Sequence, residues 1–226
     1  MGRARRDIIY DGCLTHTFFK CHNGSFYFQE DHIKQNVLDA MIHGARKYGI
    51  PIYDWVLMSN HCHFLTYVDC ILNYSNFMRY TNRLIAGIVN KEFRQTGQVI
   101  QDRYRSPVIE NASYCINTMG YIWLNPYKAN MLGGKNPASY RFSSLFYKYN
   151  GLKDPLSTPY SELKKLIGFD ILQGKKLQRF TREHIAWLIR SGEDFSDELF
   201  ENLHSIGSES FCKERRRLEN IRGASP

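Results

Sequence analysis

Residues 52–68, with the sequence IYDWVLMSNHCHFLTYV, predict a β-hairpin near the centre of the first half of the chain. Two runs rich in β-branched and aromatic residues flank a short polar turn at Ser59 and Asn60. A two-residue connection of this kind joins antiparallel neighbours. We therefore expect a strand over residues 52–58 to pair with a strand over residues 61–68.

The segments on either side of this hairpin predict further strands and helices. Residues 14–19 are rich in β-forming residues and predict another strand, and a fourth strand is expected within residues 99–110. Apolar residues at helical spacing predict three helices, over about 31–48, 72–94 and 112–124. The third helix is expected to stop at Asn125 and Pro126, because a proline disfavours the helical conformation in the residue before it.

These elements follow one another as strand, helix, strand, strand, helix, strand, helix. The order predicts an α+β fold of the ferredoxin-like, split β-α-β type, in which an antiparallel sheet carries helices on one face. Beyond residue 151 the composition changes, and short helices are expected at about 160–167, 182–190 and 197–205. We therefore expect a domain over residues 1–151 and a small helical C-terminal appendage over residues 152–226.

The composition of the 226-residue chain is typical of a globular protein with a basic surface. Hydrophobic residues make up 43% and charged residues 23%, which excludes wholesale disorder. The formal charge is +8, and residues 1–150 contain 17 Lys and Arg against 10 Asp and Glu. This excess of positive charge favours a polyanionic partner for the N-terminal two thirds of the chain.

The sequence gives no signal for secretion or for a membrane. Its longest apolar run is far shorter than a membrane span, and its first residues lead into Asp7 rather than into an apolar segment. We expect a cytoplasmic protein with no membrane partner. The six cysteines form no C-x-x-C pair, so we expect free thiols, with a structural zinc site as the alternative.

The pair His61 and His63 is the sharpest chemical feature of the sequence. On a strand, residues two positions apart face the same side, so both imidazoles can bind one divalent metal ion while Cys62 points into the core. The alternative is a pair of unrelated polar residues on the solvated face of a sheet.

Tyr121 and Asn125 form a second candidate pair. They lie four positions apart on a predicted helix and are therefore neighbours on one face. A phenol with a pKa of about 10 needs only modest activation to attack a phosphodiester. The alternative is that Tyr121 packs in the core, like most of the 15 tyrosines, and that Asn125 is simply a residue near the helix end.

A basic stretch between Arg79 and Arg105 is the third feature. It contains six Lys and Arg against two acidic residues, with Tyr80, Phe93 and Tyr104 among them. Arginines that contact phosphates, together with aromatic rings that stack on bases, are typical of single-stranded nucleic-acid grooves. The alternative is a solvated helix face.

Four segments resemble the single-tyrosine HUH transposases. Residues 58–65, MSNHCHFL, are similar to the M-P-N-H-x-H segment of that family, and residues 121–129, YIWLNPYKA, are similar to its Y-I-H-L-N-P-V-R-A segment. Residues 101–105, QDRYR, resemble Q-G-R-Y-K, and residues 139–144, SYRFSS, resemble Y-P-W-S-S-Y. The order and spacing agree over about residues 8–150, and the REP-associated tyrosine transposases are the branch that the chain resembles most.

The resemblance implies a metal-dependent single-stranded DNA endonuclease and strand transferase that acts near DNA hairpins. It implies that Mg²⁺ or Mn²⁺ lies between His61, His63 and Asn125, and that Tyr121 attacks the scissile phosphate to give a 5′-phosphotyrosine intermediate. Five residues of the basic stretch are expected to contact the DNA: Arg79, Arg83, Arg103, Arg105 and Tyr104. By analogy with the REP-associated branch, a monomer is expected rather than a domain-swapped dimer.

The chain departs from the family pattern at three positions. Ser59 replaces a proline, Cys62 replaces a bulky hydrophobic residue, and Trp123 stands where histidine is frequent. Two other functions explain part of the sequence. One is a domesticated protein that binds hairpin or single-stranded DNA without cutting it. The other is a replication initiator or relaxase of the same superfamily, which leaves the segment after Tyr121 unexplained.

Overall fold

The computed structural model describes residues 9–101, 103–160, 163, 175–191 and 205–223. The strands are β1 (Cys13–Lys20), β2 (Ile52–Leu57), β3 (His61–Val68), β4 (Val108–Ile109) and β5 (Ser205–Ile206). The helices are α1 (Asp31–Tyr48), α2 (Ile71–Glu92), α3 (Ala112–Lys128), α4 (Ser144–Asn150), α5 (Lys175–Ser191) and α6 (Glu209–Gly223). The helix predicted at 182–190 falls within α5, whereas those predicted at 160–167 and 197–205 lie largely outside the described residues.

The strands form one sheet in the order β2-β3-β1-β4-β5. β3 pairs antiparallel with both β1 and β2, so the predicted central hairpin is confirmed. β4 pairs antiparallel with β1 and parallel with β5. The α+β class and the ferredoxin-like core are confirmed, and β5 adds a parallel edge that local sequence patterns did not predict.

Helices cover both faces of this sheet. α1 and α2 pack together over a core that includes Trp55, Phe64 and Phe77. The sequence predicted helices on one face only, and α1 and α2 cover that face. α3 packs on the opposite face, against Val56 and Leu65. Because β2 is buried along its whole length, each face of the hairpin needs its own covering layer.

α3 continues past the point at which it was expected to stop. Asn111 caps its first turn by accepting hydrogen bonds from the amides of Ser113 and Tyr114. The helix then runs through Pro126, and the amide of Ala129 donates to the carbonyl of Asn125 over 3.0 Å. The predicted stop was wrong because this proline removes one amide near the helix end without displacing the last turn. Asn125 therefore stays in helical register with Tyr121.

The described residues beyond 151 pack against the rest of the chain. Tyr160, Leu163, Ile185 and Leu188 join the core around α3, and β5 extends the sheet. The division of the chain near residue 151 stays a prediction. All six cysteines are free. Within the described ranges, no helix combines the length and the apolar character that crossing a bilayer requires.

Candidate active site

His61 and His63 face α3, on the side of the sheet opposite α1 and α2. Their ring centroids are 4.9 Å apart with an angle of 86° between the rings. Cys62, between them, is buried in the core that α1 and α2 cover, where its sulfur lies 3.7 Å from that of Met41, as the alternation along the strand predicts. His63 is fully buried and His61 is half-buried, so the pair leads from the molecular interior to the surface.

Asn125 of α3 lies against His61. Asn125 Oδ1 is 3.3 Å from His61 Nε2, and Asn60 Oδ1 accepts a hydrogen bond from His61 Nδ1 over 2.6 Å. Because a neutral imidazole carries one N–H, donation of Nδ1–H to Asn60 leaves an acceptor lone pair on His61 Nε2, next to the amide of Asn125. A cation could bind this lone pair and the amide oxygen of Asn125 together.

The spacing of these two atoms also fits a shared metal ion. Ligands at right angles around a metal, with bonds of about 2.1 Å, lie about 3 Å apart. Two imidazoles and one amide leave coordination positions open for oxygen ligands, as Mg²⁺ and Mn²⁺ require. In the described part of the chain, no three His, Cys, Asp or Glu side chains group as a metal site, so a candidate site here depends on the amide of Asn125.

Tyr121 lies one helical turn before Asn125 and next to the histidines. Its ring centroid is 5.4 Å from that of His63 and 5.5 Å from that of His16, with edge-to-face geometry in both pairs. The Tyr121 side chain is fully buried. The structure thus brings together, between β3 and α3, the four residues that the sequence proposed for catalysis and metal binding.

His16 of β1 is a member of this cluster that sequence reasoning missed. Its Nε2 atom is 3.0 Å from Nδ1 of His63, and the planes of the two rings are nearly parallel, with centroids 5.1 Å apart. His16 is fully buried. The only sequence signal was that His16 lies on the same face of β1 as Leu14 and Phe18. This position indicates a place beside His63 only when the pairing of β1 with β3 is known.

The pKa of His63 lies well below the usual value for histidine. Burial is the main cause, and the neighbouring His61, His16 and Lys20 lower it further because they oppose a second positive charge. His63 is therefore neutral at pH 7, which is the form of imidazole that binds a metal ion.

Three cationic side chains lie near the histidines, and two of them were not predicted. Lys20 is exposed and lies directly opposite His61 in the β1–β3 pair. Arg105 exchanges both backbone hydrogen bonds with Phe18, so its side chain shares the face of the sheet that carries His63. The ammonium nitrogen of Lys128 lies 5.7 Å from the centroid of the Tyr121 ring.

Three of the other predicted DNA contacts belong to the layer on the opposite face of the sheet. Arg79 and Arg83 are exposed on α2, which covers the opposite face of the sheet. Tyr104 packs edge-on against Tyr74 of that same layer, with centroids 5.6 Å apart. Arg103 is exposed, two residues before Arg105. Among these residues, Arg105 shares the face of the histidines, whereas Arg79 and Arg83 lie on the layer that covers the other face, and contact with DNA stays a prediction for all five.

Trp123 has a structural partner rather than a catalytic one. Its indole Nε1–H donates a hydrogen bond of 2.7 Å to Oδ1 of Asp54, a fully buried carboxylate of β2. The same carboxylate accepts hydrogen bonds from Ser144 (2.8 Å), Lys148 (2.6 Å) and the hydroxyl of Tyr160. Trp123 thus joins α3 to β2. An imidazole N–H can make a similar bond, which accounts for tryptophan in a position where histidine is frequent.

A family model described as "Transposase IS200 like" matches residues 10–129, which is more than half of the chain and includes all four central site residues. A solved REP-associated tyrosine transposase, bound to a REP hairpin, aligns with a TM-score of 0.52 and 19% identity over 70% of this chain and 92% of that chain. This alignment shows a shared fold.

Two other solved structures align with TM-scores below 0.5. One is a candidate transposase from Deinococcus radiodurans R1, with a TM-score of 0.35 and 13% identity over 57% of this chain and 97% of that chain. The other is the tRNA(His) guanylyltransferase from Saccharomyces cerevisiae, with a TM-score of 0.43 and 14% identity over 91% of this chain and 88% of that chain. No curated protein sequence matches the chain.

Proposed function

Because this chain belongs to the IS200-like transposase family, we propose that it is a metal-dependent endonuclease and strand transferase that acts on single-stranded DNA next to hairpins. The observation that carries the proposal is the convergence of Tyr121, Asn125 and the two histidines of β3 at one place between β3 and α3. A protein that only binds DNA has no chemical need for this set.

Three side chains would hold the metal ion: the imidazoles of His61 and His63 and the amide oxygen of Asn125. When bound there, Mg²⁺ or Mn²⁺ would polarise the scissile phosphate. The chain prepares these ligands itself. Asn60 orients His61 by accepting its Nδ1–H, and burial keeps His63 neutral because it lowers the pKa of the ring.

Tyr121 is the proposed nucleophile. Its hydroxyl oxygen attacks the phosphorus, the bond to the 3′-oxygen breaks, and the products are a 5′-phosphotyrosine and a 3′-hydroxyl. The phenol proton is released to solvent, and the departing 3′-oxygen takes up a proton. Attack by the 3′-hydroxyl of another strand reverses these steps and joins the two strands. The edge contacts with His16 and His63 hold the Tyr121 ring in place.

Single-stranded DNA with a hairpin is the proposed partner. Lys20, Arg105 and Lys128 place positive charge around the histidines, and the phosphate backbone supplies the matching negative charge. The transposase with the shared fold is bound to a REP hairpin, which supports a hairpin as the structure next to the cleaved strand. We propose a monomer as the active unit, which light scattering of the free protein and of the DNA complex can test.

Formation of a covalent protein–DNA adduct tests the proposed activity. The wild-type chain, incubated with a library of hairpin-bearing single strands and Mn²⁺, should give an adduct that survives denaturing electrophoresis, and EDTA should prevent it. Tyr121→Phe should abolish the adduct and leave DNA binding nearly unchanged, because only a hydroxyl is removed. Tyr127→Phe is a matched control, since Tyr127 lies on the same helix and is 40% exposed. An adduct that persists in Tyr121→Phe and maps to another tyrosine would refute the assignment.

A non-cleaving DNA-binding protein is the second candidate, and one observation favours it. The Tyr121 side chain is fully buried, so a phosphate can reach its hydroxyl only after a local rearrangement. This candidate predicts that the wild-type chain and Tyr121→Phe bind the hairpin library equally and that neither forms an adduct with Mg²⁺ or with Mn²⁺.

A further inference from the structure

His16 is a buried imidazole to which the proposed reaction gives no role of its own. It is fully enclosed, its ring plane lies at 16° to that of His63, and its Nε2 atom is 3.0 Å from His63 Nδ1. A buried polar ring costs free energy unless it makes hydrogen bonds. A contact of this length joins one donor and one acceptor, so the tautomer of each ring determines that of the other.

We infer that His16 is a positioning residue, whose Nε2 accepts a hydrogen bond from Nδ1–H of His63 and so presents the Nε2 lone pair of His63 to the metal ion. The inference rests on the proposed function, because it assigns a role toward the proposed metal site. It goes beyond that function in naming the group that selects the tautomer of a ligand.

The direction of this hydrogen bond follows from the number of protons. Neutral His63 carries one N–H, and a ring that binds a metal through Nε2 must carry it on Nδ1. Only an acceptor opposite Nδ1 stabilises that tautomer. If His16 donated instead, the proton of His63 would move to Nε2, and the lone pair needed for the metal would be lost. Metal-bound histidines in general donate their second N–H to such an outer partner.

The position of His16 on the strand gives the contact its rigidity. β1 and β3 pair without interruption over eight positions, from Cys13 opposite Val68 to Lys20 opposite His61. The backbones on both sides of the His16–His63 contact are therefore fixed by the sheet. The same imidazole also contacts the edge of Tyr121, with centroids 5.5 Å apart, so one side chain orients a metal ligand and the nucleophile's ring.

Two substitutions at this position separate hydrogen bonding from packing. His16→Gln can place an acceptor oxygen near the position of Nε2, whereas His16→Phe keeps a ring and removes the acceptor. Mn²⁺ affinity of the full chain without DNA, measured by calorimetry, should be weakened about 10- to 100-fold in His16→Phe and stay within about threefold of wild type in His16→Gln. Phe18→Leu is the control, since Phe18 contacts the His63 ring at 5.4 Å without a hydrogen bond, and it should keep the wild-type affinity.

The tautomer of His63 can be measured directly. Nitrogen-15 NMR of the metal-free wild-type chain should show a neutral His63 that carries its proton on Nδ1, and this result does not depend on whether His16→Phe folds. A proton on Nε2 would overturn the inference, as would equal Mn²⁺ affinities of wild type and His16→Phe. A His16→Gln variant that binds Mn²⁺ more weakly than His16→Phe would assign His16 to packing instead, because the phenyl ring keeps the packing of the imidazole and the amide does not. If the wild-type chain binds no Mn²⁺ at all, the proposed metal site fails first, and the failure is distinct from these.

Discussion

Two pairs of basic residues with equal charge test where DNA lies on this protein. Lys20 and Arg105 are on the face of the sheet that carries the histidines, whereas Arg79 and Arg83 are exposed on the helical layer that covers the other face. The double variants Lys20→Gln/Arg105→Gln and Arg79→Gln/Arg83→Gln each remove two positive charges. Any difference between them therefore reports on position and not on net charge.

The expected magnitude follows from counterion release. Each phosphate contact with single-stranded DNA contributes about 0.7 to the slope of log affinity against log salt, so losing two contacts should lower the slope by about 1.4. Between about 50 and about 200 mM salt, a slope contribution of 1.4 corresponds to a factor of about seven in affinity. Charges farther from the DNA than about 10 Å are largely screened at 0.1 M salt, so the Arg79 and Arg83 pair should change the slope little.

Fluorescence anisotropy of a labelled hairpin oligonucleotide, titrated in EDTA at several salt concentrations, measures both slopes without cleavage. We expect the Lys20 and Arg105 variant to have the flatter slope. The opposite result, with a reduced slope only in the Arg79 and Arg83 variant, would place the DNA along α2, as the density of basic residues in the sequence suggested. Equal slopes in both variants and in wild type would show that neither pair contacts phosphate.

Three further predictions concern stability and reactivity. Trp123→Phe removes a hydrogen bond to the buried carboxylate of Asp54 and should cost about 1.5–3 kcal/mol, or about 3–12 °C in Tm by calorimetry, while adduct formation well below the new Tm persists. In EDTA, the free energy of unfolding should fall as the pH drops below about 6.5, because His63 takes up a proton in the unfolded chain but not in the folded one, where its pKa is lowered. Urea titrations should show a weaker pH dependence in His63→Gln than in wild type, and an equal dependence would refute this prediction. Iodoacetamide should modify the partly exposed Cys70 in the folded chain and the fully buried Cys62 only after denaturation, because burial also raises the pKa of the Cys62 thiol; peptide mass spectrometry distinguishes the two.

Local sequence signals predicted the first half of the fold because its elements depend on near neighbours. The bounds of α1 and β3 match the predicted ones, since helical spacing and a short turn are local properties. β5 could not be predicted in this way, because a two-residue strand acquires its structure only from pairing with β4. The end of α3 was missed because a general rule about proline was applied where the last turn tolerates it.

The sequence predicted those site residues that lie close together on one strand or on one helix. His61 and His63 on one strand, and Tyr121 and Asn125 on one helix, follow from periodicities of two and about four residues. His16 required the register between β1 and β3, which no local pattern contains. The basic residues required a knowledge of which face of the sheet each helix covers, so charge density along the sequence could not rank them.

The parallel pairing of β4 with β5 sets an order for synthesis on the ribosome. Val108 pairs with Ser205 and Ile109 with Ile206, so 97 residues separate each strand residue from its partner. At about 5–20 residues per second, translation leaves the edge of β4 without this partner for about 5–20 s. His61 and His63 are synthesised before β4, and Tyr121 and Asn125 follow soon after it, long before β5. A growing chain of this protein therefore carries its catalytic residues for seconds before the sheet that holds them is complete, and exposed strand edges are where growing chains associate wrongly.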